Sequence, residues 1–239
     1  MAGGDVFKRY EIKYLLTAEQ YSAIRSAMEE YMRGDKYGES DICNLYCDTP
    51  SFLLARRSID KPIYKEKLRI RSYGRATENS DVFVEIKKKY KQVVYKRRIK
   101  TDERGALSLF SPETAPVPKK QIAKEIRYFI DYYTDIAPVM FISYRREAFY
   151  DKTDEDFRMT FDRDILWRDS DLTLSSGIYG TPILPPDTVL MEVKTAAAIP
   201  MWLTKVLSAH SVYKTSFSKY GTAYAQLMQI KSQGGKEVA

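Results

Sequence analysis

Lysines and arginines recur at every second position through three consecutive stretches of this chain, from Tyr64 to Thr101. Side chains on a β-strand alternate between faces. In YKEKLRIRSYG this sets Lys65, Lys67, Arg69 and Arg71 on one face, with Glu66, Leu68 and Ile70 on the other. In VFVEIKKKY it separates Phe83, Glu85, Lys87 and Lys89 from Val82, Val84 and Ile86. In VVYKRRIKT it separates Lys96, Arg98 and Lys100 from Tyr95, Arg97 and Ile99. A solvated sheet face is the plain reading of such a pattern. Solvated faces usually mix signs, because like charges opposite one another repel. Here Glu85 is the main acid among the bases, so a polyanionic ligand that supplies the missing charge explains the rows better.

Composition agrees. The chain has 239 residues, a formal net charge of +7 and 44% hydrophobic residues, enough for a core and biased toward acidic partners. Cys43 and Cys47 stand four apart in an expected strand, roughly 13 Å along it and too far for a disulfide. They read as reduced core residues of a cytoplasmic chain. The single histidine excludes a multi-histidine metal site. Any metal is then a hard ion held by carboxylates and the ligand's own oxygens. The opening MAGGDVFKRY lacks the apolar core of a signal peptide, and no apolar run approaches a membrane span.

These rows need neighbours. Residues 6–16 read as a first strand, with Glu11 and Lys13 on one face and Arg9 joining them. Thr17 to Gln20 forms a capping box for a helix whose stripe is Tyr21, Ile24, Met28 and Tyr31, ended by Gly34 and Gly38. Residues 42–49 give a second strand; Asp48 and Thr49 then cap a short helix over 51–59. Lys91 and Gln92 make the hairpin turn between the last two cationic strands. A short helix over 103–110 and a proline-rich loop follow. Residues 119–134 are an amphipathic helix with Ile122, Ile126, Phe129, Ile130 and Tyr133 inward. MFISYRREAFYD places Ser143, Arg145 and Glu147 on one face, and residues 157–167 pair with it, Asp162 alternating with Phe161. A loop over 168–187 is expected at the surface and mobile. VLMEVKT puts Glu192 and Lys194 together, and helices over 200–209 and 218–231 close the chain. Residues 1–5 and 232–239 are expected to be disordered. The whole reads as one α+β domain over 1–239: an antiparallel closed or nearly closed β-barrel with helices packed outside.

Taken in order, certain segments resemble the VTC-type polyphosphate polymerase domain, a branch of the CYTH or triphosphate tunnel metalloenzyme superfamily. They are Glu11-Ile12-Lys13, Asn44-Leu45-Tyr46-Cys47-Asp48-Thr49, Lys67-Leu68-Arg69-Ile70-Arg71, Glu85-Ile86-Lys87, Tyr144-Arg145-Arg146, Glu192-Val193-Lys194 and Phe217-Ser218-Lys219. The resemblance spans about Arg9 to Tyr224. It implies a tunnel whose lysines and arginines bind triphosphate, a divalent metal (Mn2+ or Mg2+) near a carboxylate, and transfer of the γ-phosphate of ATP to a growing polyphosphate chain. Two positions depart from the pattern. Arg9 stands where the superfamily has the first Glu of Glu-x-Glu-x-Lys, which disfavours the hydrolases and cyclases that use both acids. Ser216 stands where a base is expected, with Lys214 as the nearest substitute.

The roles that follow are these. Arg69, Arg71, Lys87 and Arg145 act on the transferring phosphate. Lys13, Lys67, Lys96, Arg98, Lys194, Ser218 and Lys219 bind phosphates. Glu192 holds the metal, and Glu11 and Glu85 set the positions of lysines. Arginine's planar fork holds two oxygens, whereas lysine acts as a point charge. Read as a free phosphate clamp, Arg71 should be replaceable by alanine without loss of ligand-free stability. Partners are ATP and inorganic polyphosphate, with inositol polyphosphates as further candidates; nucleic acid is not expected. The competing functions are a triphosphate hydrolase on the same fold and a non-catalytic polyphosphate or inositol-polyphosphate sensor.

Overall fold

The computed structural model describes residues 10–60, 62–91, 93–111 and 120–234. Arg9, Gln92, most of the proline-rich loop and both chain ends, on which the sequence bears, lie outside these residues. One antiparallel sheet carries the structure. Its strands are β1 (Tyr10–Leu16), β2 (Met32–Asp48), β3 (Tyr64–Tyr73), β4 (Val82–Tyr90), β5 (Val93–Thr101), β6 (Ala137–Asp151), β7 (Arg158–Arg168), β8 (Thr181–Pro182), β9 (Val189–Thr195) and β10 (Lys214–Thr215). The helices are α1 (Ala18–Met28), α2 (Leu53–Ile59), α3 (Glu103–Ser108), α4 (Gln121–Tyr132), α5 (Met201–Ala209) and α6 (Lys219–Gly234). The strands lie in the order β10-β1-β9-β7-β6-β2-β3-β4-β5, with β8 beside β7.

Alternation sorts the sheet as the sequence suggests. Leu68, Ile70, Val82, Val84 and Ile86 face outward onto α3 and α4, including Ile126 and Phe129. Tyr14, Leu16, Met159, Phe161 and Met191 face outward onto α1 and α5. The third apolar cluster lies on the other, concave face. There α6 packs Tyr220, Ala223 and Leu227 against Tyr46, Ile142, Tyr144 and Leu190. The expectation that every helix packs outside therefore fails for α6, which fills the apolar part of the concavity and turns its N-terminus toward the charged part.

Four further expectations change. The capping box of Thr17 and Gln20 forms, but α1 stops at Met28; Gly34 and Gly38 lie within β2. The pairing of β2 with β6 is irregular between Gly34 and Glu39, and Gly38 supplies the positive φ of 60° that this needs. Tyr31 leaves the α1 stripe and stacks on Trp202 at 5.0 Å. Near the C-terminus α6 continues through residues 232–234, where disorder is expected. The 168–187 segment is anchored: Arg168 donates to the carbonyls of Asp171, Thr173, Gly177 and Tyr179, and Leu174 is buried.

The expected closed barrel is not made by the main chain. Among the described residues, β10 and β5 end the sheet without pairing to each other. Side chains span the seam instead. Lys87 Nζ of β4 donates to Glu11 Oε2 of β1 at 3.2 Å. Lys67 Nζ of β3 donates to Ser218 Oγ, beside α6, at 3.0 Å. Contacts between strands this far apart in the sheet order require it to curl.

Candidate functional site

The concave face carries two linked charge clusters. The first is built on Glu85, which is 1% exposed. Its Oε2 accepts from Arg69 at 2.7 Å and lies 4.0 Å from Arg71, and its Oε1 pairs with Lys96 at 2.6 Å. Burial alone would raise this carboxyl; Arg69, Arg71 and Lys96 outweigh it and hold it down at about 2. Arg71, also buried, donates from Nε to Asn44 Oδ1 at 2.9 Å and from Nη2 to the Tyr144 hydroxyl at 3.0 Å. Burial would raise the Tyr144 phenol, but Arg71, Arg146 and Lys219 bring it down to about 8.

The second cluster joins β1, β6, β7, β9 and the start of α6. Asp162, fully buried, accepts from Arg146 Nε at 2.5 Å and Nη2 at 2.7 Å, and from Lys219 Nζ at 2.5 Å. Glu192 pairs with Lys13 at 3.1 Å, Lys219 at 3.4 Å and Arg146 at 3.5 Å. Burial opposes the Glu192 charge, yet Lys219, Lys13 and Arg146 hold its carboxyl well below the usual range. Glu11 lies 3.5 Å from Lys13 and 3.2 Å from Lys87. Against burial and the repulsion of Glu192, Lys87 and Lys13 lower Glu11 to about 2. Ser218 accepts from the Gly221 amide at 3.2 Å and so caps α6, fixing Lys219 behind it.

Most of the sequence candidates therefore meet. Lys13, Lys67, Arg69, Arg71, Lys87, Lys96, Ser218 and Lys219 share this face with Glu11, Glu85 and Glu192. Lys194 lies on the same side of β9 as Glu192, with its ammonium disfavoured by burial. Arg98 lies on that face too but is exposed at the sheet edge, over the Phe83 ring at 4.8 Å. Two candidates do not join. Arg145 shares its face with Glu147, which bonds Tyr21 of α1, and it pairs outward with Glu39 at 3.2 Å. Its neighbour Arg146 occupies the inward position. Lys214 pairs with Tyr14, whose side chain packs in an outer cluster, so it lies away from Lys13. The sequence reading assigned no role to Arg146, Tyr144 or Asp162. The alternation of Arg158, Thr160, Asp162 and Asp164 with Phe157, Met159 and Phe161 sets Asp162 on the face opposite the apolar row, but it does not separate Asp162 from Asp164, which is exposed.

Among the described residues, no three His, Cys, Asp or Glu side chains are placed to hold a metal by themselves. The donors still suit a hard ion in part. Glu192 and Glu11 both lie beside the Lys13 ammonium, at 3.1 and 3.5 Å, and a hard ion held by them would need further oxygens from a ligand.

The structure thus defines a class of β fold: a curled antiparallel sheet whose concave face is lined by cations, with carboxylates fixed among them. The chain belongs to the VTC domain family, whose model matches residues 8–228. Among curated proteins nothing matches. A solved structure from Bacillus halodurans, described as a candidate adenylate cyclase, aligns with a TM-score of 0.54 at 15% identity, covering 88% of this chain and 95% of that one. A Hippeastrum protein, described as a candidate adenylyl cyclase with a dominant triphosphatase activity, aligns with a TM-score of 0.49 at 14% identity, covering 91% and 95%. The likeness to the Bacillus protein shows a shared fold.

Proposed function

We propose that this protein is an ATP-dependent polyphosphate polymerase. It moves the γ-phosphoryl group of ATP to the terminal oxygen of an inorganic polyphosphate lying in a tunnel formed by the concave face. The observation that carries this reading is the convergence of Lys13, Lys67, Arg69, Arg71, Lys87, Lys96, Arg146 and Lys219 on one surface, where Glu11, Glu85, Asp162 and Glu192 balance only part of the charge. Membership of the VTC family supports the same reading.

Phosphoryl transfer asks for alignment of donor and acceptor and for cations around the transferring group. Arg69 and Arg71, held by Glu85 and Asn44, present guanidinium forks already oriented. Lys13, Lys87 and Lys219, each tied to a carboxylate, supply positive charge at fixed points. Arg146 takes the place expected of Arg145. The bond from Pγ to the ADP oxygen breaks as a new P–O–P bond forms. The acceptor is already an anion, so no catalytic base is needed. Glu192, with Glu11 beside it, would hold a divalent ion, which when bound neutralises charge on phosphate oxygens. Tracing label from ATP tests the assignment. Label in the γ-phosphate should enter long polymer, and label in the α-phosphate should remain in ADP. Release of the γ-label as orthophosphate alone would replace the polymerase by a triphosphate hydrolase.

A further inference from the structure

Most lysines of the concave face have a carboxylate. Lys13 has Glu192, Lys87 has Glu11, Lys96 has Glu85 and Lys219 has Asp162. Lys67 is different. Among the described residues no carboxylate oxygen lies within salt-bridge distance of it. Its polar contact is the hydroxyl of Ser218 at 3.0 Å, and the Tyr220 ring lies 5.9 Å away.

Each surrounding element adds positive charge or a group already engaged. β1 presents Lys13, β3 presents Lys65 and Arg69 on either side, and β4 places Lys87 directly opposite, with Lys96 of β5 beyond it. The nearby acids are committed: Glu11 to Lys87, and Asp48 of β2 to the Tyr220 hydroxyl and the α2 amides. From α6 come Ser218 and the ammonium of Lys219. A hydroxyl can accept from an ammonium or donate to an amine, so Ser218 fits either form of Lys67.

We propose that above neutral pH Lys67 is largely a free amine in the empty site, and that polyphosphate binding draws a proton onto it from solvent, so that anion binding and proton uptake are one event. The step is a proton transfer from solvent to Nζ, and no other bond changes. Burial first, and then Lys13, Lys87, Lys65 and Arg69, bring the Lys67 ammonium down to about 7, in keeping with the geometry. A bound phosphate reverses the balance of neighbouring charge and favours the ammonium. The inference rests on the proposed polyphosphate site and adds a condition to it: affinity for the polyanion falls as pH rises through the range where Lys67 is neutral.

Calorimetry of tripolyphosphate binding in buffers of different ionisation enthalpy measures the protons taken up. The comparison is with Lys67→Arg, whose side chain stays charged throughout. At pH 8.5 the parent should take up close to one proton more per ligand than the variant, and at pH 6 about the same number, because Lys67 is then already protonated. A second measurement needs no variant. In the parent, one lysine Cε resonance should titrate near neutrality and move up by at least about two pH units with tripolyphosphate bound. Equal uptake by parent and variant at pH 8.5, or no lysine titrating below about pH 9, overturns the inference and leaves the polyanion site standing. No tripolyphosphate binding at any pH overturns that reading along with it.

Discussion

Replacing Asp162 by asparagine keeps its shape and removes its charge. Asp162 is fully buried and holds Arg146 and Lys219 through contacts of 2.5 to 2.7 Å. The two cations would keep Glu192 as a shared acid, at 3.5 and 3.4 Å. Removing one side of a buried ion pair costs about 3–5 kcal/mol, most of it from the charge left uncompensated. For a chain of this length about 1 kcal/mol corresponds to roughly 2–4 °C, so Tm should fall by on the order of 10 °C. The freed Arg146 and Lys219 would face the proposed phosphate site. Tripolyphosphate should therefore stabilise Asp162→Asn more than the parent and recover part of the loss. Ligand at about 100 times Kd adds about 2.7 kcal/mol, and the variant's tighter binding adds to that. Thermal unfolding of both proteins, with and without tripolyphosphate, gives the answer. A variant within about 2 °C of the parent, or equal gains with ligand, would refute the account of Asp162 as the acid that holds these cations for the substrate.

Other expectations follow from the same contacts. Arg71→Ala should lower the Tm of the ligand-free protein, by about 2–4 kcal/mol of stability, because Asn44 and Tyr144 lose a buried partner; an unchanged Tm would restore the free-clamp reading. Arg146→Ala should reduce turnover at least about tenfold, whereas Arg145→Ala, which loses a contact to Glu39, should retain the parent's rate in the same steady-state assay. Glu192→Gln should lose metal-dependent turnover and still bind polyphosphate in a filter assay; full activity would remove Glu192 from the proposed metal site. The Glu85 carboxyl, at about 2 when folded, gives stability that is complete above about pH 4.5 and is lost as pH falls toward 2. Urea unfolding between pH 6 and 3 should therefore show a slope that flattens in Glu85→Gln.

The outward rows of this fold are legible in the sequence because they are apolar and periodic. Val82, Val84 and Ile86 announce a buried face, and the opposite row then has to be the cationic one. The same logic falters on β6. Tyr144 and Arg146 alternate with Ser143 and Arg145, each row carrying an arginine, so periodicity sorts the residues without saying which row turns inward. The answer comes from side-chain contacts across the sheet, Arg71 to Tyr144 between strands remote in sequence and Asp162 to Arg146 across the β6–β7 pair. Gly34 and Gly38 mislead for a related reason. A glycine after an apolar stripe reads as a helix stop, but Gly38 serves a left-handed position in an irregular strand. The inward course of α6 depends on how the sheet curls, and the local pattern of its apolar residues does not distinguish an inner from an outer face. Closure by side chains across the seam is likewise a property of the assembled sheet.

The central claim is that the cations of the concave face build polyphosphate from ATP. Its most direct test is a gel of the purified protein incubated with ATP and manganese and stained for polyphosphate. The account predicts a ladder of long polymer that disappears on exopolyphosphatase treatment and is absent in Arg69→Ala. Orthophosphate release with no polymer, or no turnover at all, would contradict it.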